Sequence, residues 1–302
     1  MTDDALGPLA ARVPAALRAA RAYHVPVPAR VVAKLDANEL PYALPAGLRG
    51  ELGAALAEVA IERYPDPAAR RLRAVVASQL GVAGDQLVFG NGSDELIALL
   101  GAAFAAPRGD RPSAVLYPVP SFVYYKIAAL THRLEAIEVP LDARFELDED
   151  AVERAITAHR PSVVFLALPN NPTGTLWRMA FATELAARHR DVVIVSDEAY
   201  HAYCGQTLLP ALADHPNLVV MRTLSKLGMA GLRVGFTISS PAIATALPKR
   251  VFAGGGAVTR RSTVQPDFVS TCTKAAPTNG TTDSTIVLII SKKIGPPGLR
   301  AK

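Results

Sequence analysis

Cysteine is nearly missing from this chain. Cys204 and Cys272 are the only two, and they lie far apart in unlike segments, so neither a disulfide framework nor a thiolate metal site follows from them. The histidines, at 24, 132, 159, 189, 201 and 215, share no metal-ligand spacing. There is no G-x-S-x-G elbow, no Walker phosphate loop and no G-x-G-x-x-G dinucleotide fingerprint. No apolar run is long enough to span a bilayer. The N-terminus carries Asp3 and Asp4 and lacks a sustained apolar core after a basic start, so it does not read as a signal peptide. A cytoplasmic, reduced environment is the expectation.

An excess of positive charge is also missing from most of the chain, despite a formal net charge of +5. Residues 249–302 hold nine Lys/Arg against two Asp, a net of +7, which leaves 23 basic and 25 acidic side chains, a net of −2, for residues 1–248. The basic pI therefore belongs to the last segment, and a nucleic-acid role read from it would be misplaced.

What is present is apolar: half of the 302 residues are hydrophobic, enough for a substantial core in one large or two medium domains. A short helix is expected around 7–20, a short strand over 31–35, and helices over 47–61 and 68–80 with a loop at 63–67. From there strands and helices alternate. Strands are expected at 86–89, 114–117, 136–139, 163–167, 192–195, 218–221 and within 232–238. Helices are expected at 93–105, 122–130, 149–159 and 179–189, with a glycine loop at 90–92. Repeated strand–helix units with apolar strands predict an α/β fold with a mostly parallel central sheet covered by helices on both faces. In such sheets ligands bind beyond the strand ends. After Lys249 the pattern breaks: residues 253–285 are rich in Gly, Thr, Ser and Pro, and only 284–291 could be a strand. An ordinary flexible tail and a disrupted C-terminus, such as a reading-frame change, both account for that composition.

The residues that could carry chemistry fall at the expected strand ends. Lys226 follows a strand in the run Arg-Thr-Leu-Ser-Lys-Leu-Gly-Met-Ala-Gly-Leu-Arg-Val-Gly (222–235). A lone lysine there is usually a plain surface residue, but a desolvated one can form a Schiff base with an aldehyde cofactor. Ser225 beside it and Arg233 seven residues on supply donors of the kind a phosphate needs. Asp197 ends an apolar strand; it is either a structural cap or ion pair, or a salt link to a protonated pyridine nitrogen that keeps the ring an electron sink. Tyr200, three residues further, either packs or reaches the ring's phenolate oxygen. Asn171 could bond the same oxygen, or simply build a turn with its Pro and Gly neighbours. In Gly-Asn-Gly-Ser-Asp-Glu (90–95), Ser93 and Asp94 either help cradle a phosphate at a helix start or only cap that helix. Phe122 could lie against the ring or belong to the core, and Tyr64 has an exposed context suited to a phosphate or a partner subunit. An amine, a carboxylate and an arginine in this arrangement suggest one cofactor, pyridoxal 5'-phosphate.

At this point the motifs DANELPY (36–42), RYPDP (63–67), GNGSDE (90–95), YPVPSFVYYK (117–126), LPNNPTG (168–174), VSDEAY (195–200) and RTLSKLGMAGLRVG (222–235) are together decisive. Over residues 20–248 the chain resembles the fold-type I pyridoxal-phosphate-dependent aminotransferases, and within them the histidinol-phosphate aminotransferase group. The resemblance implies that Lys226 binds the cofactor as a Schiff base and that Asp197 pairs with the pyridine nitrogen. It implies that Asn171 and Tyr200 hold the phenolate oxygen, that Phe122 stacks on the ring, and that Ser93, Asp94, Ser225 and Arg233 surround the phosphate. Tyr64 would reach the cofactor phosphate of a neighbouring subunit in a homodimer, and Tyr23 would help recognise substrate. The implied reaction moves an amino group between histidinol phosphate and 2-oxoglutarate, in histidine biosynthesis, with no nucleic-acid or membrane partner. The implied organisation is an N-terminal arm over 1–45, a large cofactor-binding domain over 46–248 and an atypical basic segment over 249–302. That last segment does not match the small C-terminal domain of the family, which carries a substrate-gripping arginine. Impaired turnover, another activity of the same fold, or a non-catalytic cofactor-binding remnant are the expectations that this departure adds.

Overall fold

Three consecutive segments of apolar and β-branched residues set the architecture. β4 (Val163–Ala167), β5 (Val193–Asp197) and β6 (Leu218–Thr223) are buried along their whole length, as strands covered on both faces must be. With β1 (Leu87–Asn91), β2 (Ala114–Val119), β3 (Glu135–Pro140) and β7 (Val234–Ser239) they form one sheet of order β1-β7-β6-β5-β4-β2-β3. The pairs β3/β2, β2/β4, β4/β5 and β5/β6 are parallel, and β7 alone runs against both of its neighbours, β6 and β1. The computed structural model of the chain describes residues 7–19, 34, 36–107 and 109–253. The expectations for Tyr23, for a strand over 31–35 and for 254–302 lie outside the described residues.

The helices are α1 (Ala15–Ala19), α2 (Ala46–Ala57), α3 (Arg70–Leu80), α4 (Gly92–Ala103), α5 (Tyr124–Thr131), α6 (Glu149–His159), α7 (Met179–Arg188), α8 (His201–Cys204) and α9 (Pro241–Ala253). Side chains alternate across the sheet and so divide the core in two. Val164 and Leu166 of β4 join Leu72, Val152, Ile156, Phe181 and Leu185, so α3, α6 and α7 cover one face. Val163 and Phe165 join Leu96, Leu100, Tyr125, Ile243 and Leu247, so α4, α5 and α9 cover the other. Fully burying a side chain such as Leu or Ile contributes about 1.5–3 kcal/mol, and both layers contain many such residues.

The α/β architecture is as expected, and the helix expected at 149–159 is α6 itself. Its start is fixed by Asp148, whose carboxylate accepts from the Ala151 N–H at 2.8 Å. Two expectations need correction. The glycine loop at 90–92 is not a loop: β1 runs to Asn91 and α4 begins at Gly92. Gly92 makes the turn in a single residue, with φ +75°, a conformation that a side chain disfavours. The second correction is α9. It crosses the boundary placed at 248/249 and runs through Pro248 to Ala253, anchored by buried Ile243, Ala244 and Leu247. The proline disguises a helix whose apolar positions keep helical spacing.

Candidate active site

The parallel strands end on one edge of the sheet, and β7, running the other way, begins there. The connections that follow β1, β2, β4, β5 and β6 at that edge deliver side chains to one cleft. Ser93 and Asp94 come from the first turn of α4, Phe122 from the approach to α5, and Asn171 from the loop after β4. Asp197 is the last residue of β5, with Tyr200 just beyond it. Ser225 and Lys226 follow β6, and Arg233 immediately precedes β7. Nine of the residues singled out in the sequence therefore line one cavity. Tyr64 does not: it is 96% exposed, beside exposed Ile61.

Close backbone approach builds the end of the cleft near α4. Gly235 lies so near the β1–α4 junction that a Cβ there would stand 2.6 Å from the Gly92 carbonyl carbon. A Cβ on Gly92 would stand 2.7 Å from Nη2 of Arg233. The guanidinium is held by Asp94 at 2.9 Å and reaches the Asn91 carbonyl at 3.5 Å. Ser225 is seated by Thr223, whose hydroxyl oxygen accepts from the Ser225 N–H at 3.1 Å and lies 3.0 Å from Ser225 Oγ. A helix N-terminus, two serine hydroxyls and a guanidinium thus surround a space kept open by missing side chains, an arrangement suited to a phosphate.

The buried carboxylate lies deeper in the cleft. Asp197 accepts from the Tyr125 hydroxyl at 2.7 Å and from the Ala199 N–H at 3.1 Å. Burial pushes its pKa up to about 6; the two donors pull the other way, and Asp94 and Glu198 add to the rise. A carboxylate so placed is short of positive charge, which a protonated pyridine nitrogen would supply. Next to it, fully buried Glu198 accepts from Arg222 at 2.9 and 3.1 Å, from Thr207 at 2.7 Å and from the Leu208 N–H at 2.7 Å, fixing the end of β5. His201, behind it, is held down to about 4 by burial and then by Arg222.

The amine of Lys226 is half-buried and donates to the Ala37 carbonyl at 2.9 Å. Burial lowers its pKa, with Asp94 and Glu39 opposing, so more of it is the free amine at neutral pH than for a surface lysine. Tyr200 lies near it, the Lys226 ammonium being 5.8 Å from the ring centroid. Phe122 meets Tyr125 edge-on at 5.7 Å, and Tyr125 stacks on Phe165 at 4.8 Å, so the aromatic wall is rigid. The donor set suits a phosphorylated pyridine aldehyde: phosphate donors at one end, a carboxylate deep in the cleft, an amine for the aldehyde. The described residues contain no cluster of His, Cys, Asp or Glu able to hold a metal ion, and no helix long and apolar enough to cross a membrane.

Sequence reasoning passed over three contributors. Tyr125 follows Phe122 by three residues, the spacing of one helix face, and that spacing was the available signal. Asn38 donates to the Tyr200 hydroxyl at 2.9 Å and to Asn171 Oδ1 at 3.3 Å, and Ala37 holds Lys226; both sit in the quoted motif at 36–42, but no pattern assigns them a task.

Comparison with known proteins agrees with this geometry. The sequence model of the family "Aminotransferase class I and II" matches residues 30–279. Histidinol-phosphate aminotransferase 1 of Burkholderia lata is 46% identical over 226 residues, covering 74% of this chain and 62% of that protein. Histidinol-phosphate aminotransferase of Paracidovorax citrulli is 40% identical over 253 residues, covering 82% and 68%. The chain thus spans about 62% of the Burkholderia lata relative's length. The crystal structure of histidinol-phosphate aminotransferase from Sinorhizobium meliloti, in complex with pyridoxal-5'-phosphate, superimposes with a TM-score of 0.65 at 23% identity, covering 82% of this chain and 64% of that one. That likeness establishes the shared fold, and the match to the family model over most of the sequence establishes descent: the chain belongs to the class I and II aminotransferases.

Proposed function

We propose that this chain binds pyridoxal 5'-phosphate and transfers an amino group between L-histidinol phosphate and 2-oxoglutarate. The observation that carries the reading is the meeting of Asp197, from the end of β5, with Lys226 and Arg233, from the two ends of the β6–β7 connection, in one cleft. Histidinol phosphate as the amine rests on relatives such as the 46% identical Burkholderia lata protein, which bears the name histidinol-phosphate aminotransferase, and 2-oxoglutarate is the acceptor that the family resemblance implies.

Ser93, Ser225, Arg233 and the N–H groups that open α4 would hold the phosphate, with Asp94 keeping the guanidinium in place. Phe122 would press on the ring. Asp197 would hold a proton on the pyridine nitrogen, its carboxylate steadied by Tyr125. Tyr200 and Asn171 would direct donors at the ring oxygen, and Lys226 would hold the aldehyde carbon through its amine. The cofactor, when bound, supplies an electron sink for the bonds at the substrate's amine-bearing carbon. Once released by the incoming amine, Lys226 Nζ would take the proton from that carbon. Burial lowers its pKa, which leaves more of it as the free amine that a base must be than an exposed lysine would have. Tyr64, exposed and away from its own cleft, would serve the cleft of a second subunit in a homodimer. The organisation that goes with this reading is an arm over 1–45 and a cofactor domain that starts at 46 and runs past 248 to the end of α9 at Ala253.

The test is direct. The purified protein is incubated with pyridoxal phosphate, reduced with borohydride and digested. A single cofactor-sized mass increase is expected on the peptide containing Lys226, and turnover of histidinol phosphate should fall roughly 10²–10⁴-fold in Lys226→Ala. Absence of the adduct from folded protein would overturn the cofactor assignment; an adduct with turnover of a different amine would overturn only the substrate.

A further inference from the structure

Tyr200 and Asn171 are both half-buried walls of the cleft, yet neither is oriented by its own connection alone. The Asn38 amide donates one hydrogen to the Tyr200 hydroxyl oxygen at 2.9 Å and one to Asn171 Oδ1 at 3.3 Å. Asn38 does not line the cleft; it lines the neighbouring cavity, where Tyr200 and Asn171 are also exposed. It therefore stands behind two groups that face the cleft.

The geometry points to Asn38 as the positioning residue that turns the hydroxyl of Tyr200 and the amide of Asn171 into donors aimed at one acceptor in the cleft. The chemistry is one of satisfied valence. A tyrosine oxygen that already accepts from Asn38 has its own hydrogen free to donate elsewhere, and an Asn171 whose oxygen is engaged has its NH₂ left over. The occupant this favours is a ring oxygen carrying negative charge. The inference deepens the cofactor reading above and rests on it for the identity of that oxygen.

Two features of the segment agree. Asn38 has φ +50°, the left-handed region that asparagine tolerates better than most residues, so one residue type meets both the backbone and the amide requirement. One residue earlier, the Ala37 carbonyl accepts from Lys226 Nζ, and two residues later Leu40 packs within 2.7 Å of where a Gly228 Cβ would be. The strap over 36–40 is thus tied down on both sides of Asn38.

Two substitutions separate orientation from mere anchoring. Asn38→Gly keeps the left-handed backbone and deletes the amide. Asn38→Asp keeps size and shape but offers only acceptors, so Tyr200 would donate to residue 38 and Asn171 would turn its NH₂ toward it, both withdrawing from the cleft. For the intact chain titrated with pyridoxal phosphate, the expected weakening is about two- to tenfold for Asn38→Gly and roughly 10- to 100-fold for Asn38→Asp. In the cofactor-free chain, ultraviolet titration should show Tyr200, identified by the signal lost in Tyr200→Phe, ionising at higher pH in both variants, and more so in Asn38→Asp. Equal affinity losses in the two variants, or an unmoved Tyr200 titration, would overturn the inference. If the wild-type chain bound no cofactor, the function reading would fall, while the Tyr200 titration would still decide what Asn38 does.

Discussion

At the scale of single residues, the cleft is held in an electrostatically costly state that the proposed cofactor would relieve. Asp197 has an ordinary pKa of 3.8 in the unfolded chain and about 6 in the fold, because burial disfavours its charge. Between those values the folded chain holds more protons than the unfolded one, so the contribution of Asp197 to stability falls as pH rises. Above pH 6 the cost is about 3 kcal/mol. His201, lowered from 6.5 to about 4, holds fewer protons folded than unfolded, so its contribution runs oppositely, rising with pH through that interval. The two partly cancel in the wild type, and a substitution separates them. Asp197→Asn, which can still accept from Tyr125 and Ala199, should be more stable than wild type at pH 8 without cofactor, with the gap closing towards pH 4, while cofactor affinity is lost. Denaturant midpoints at the two pH values measure this; a less stable variant at pH 8 would contradict the account. Residue by residue, Lys226, Asp197 and Arg233 were legible because charged side chains at the ends of apolar strands stand out. Asn38 was not, because its partners, 133 and 162 residues away, are brought to it only by the fold.

Secondary-structure elements divide in the same way. α6 could be read to the residue, since an Asp cap and an amphipathic repeat are local signals. The β1–α4 junction could not, because its shape is dictated by β7, which approaches from more than 140 positions along the chain. Gly235 carries that constraint: any side chain there would strike the backbone of Gly92 and Ser93 at 2.6–2.8 Å. Gly235→Ala should therefore displace the start of α4, destabilise the fold by about 1–3 kcal/mol as overpacking does, and weaken phosphate binding. Pyridoxal phosphate and pyridoxal separate the effects in one titration series. A loss confined to the phosphorylated ligand places the damage at the helix start, and unchanged affinity for both would refute it.

For the whole molecule, the distribution of charge and exposure is more informative than the totals. A net of +7 resides in residues 249–302, and the remainder is slightly acidic. Leu56, Ile61 and Tyr64, close together in the sequence, are all exposed, and Tyr64 is the side chain that the proposed homodimer would use. If Tyr64 serves a second subunit's cleft, Tyr64→Ala should weaken cofactor binding several-fold in the dimer without altering the residues of its own cleft. Mixing it with a Lys226→Ala chain should restore one competent cleft per heterodimer. Sedimentation and cofactor titration of the mixture test this, and a chain that remains monomeric at all concentrations would rule it out.

The place of β6 in the sheet bears on time as well as position. It is paired on both sides, to β5 and β7, and every one of its residues is buried, whereas β3 is an edge strand and the 36–40 strap rests on side-chain contacts. Local opening releases the least buried pieces first. In an exchange experiment the strap amides should therefore take up deuterium early and those of β6 last. Lys226 is fastened to the slowest part of the molecule and Asn38 to one of the fastest, so each opening of the strap would release Tyr200 from Asn38 and the Lys226 amine from Ala37 while the backbone that carries the lysine stays folded.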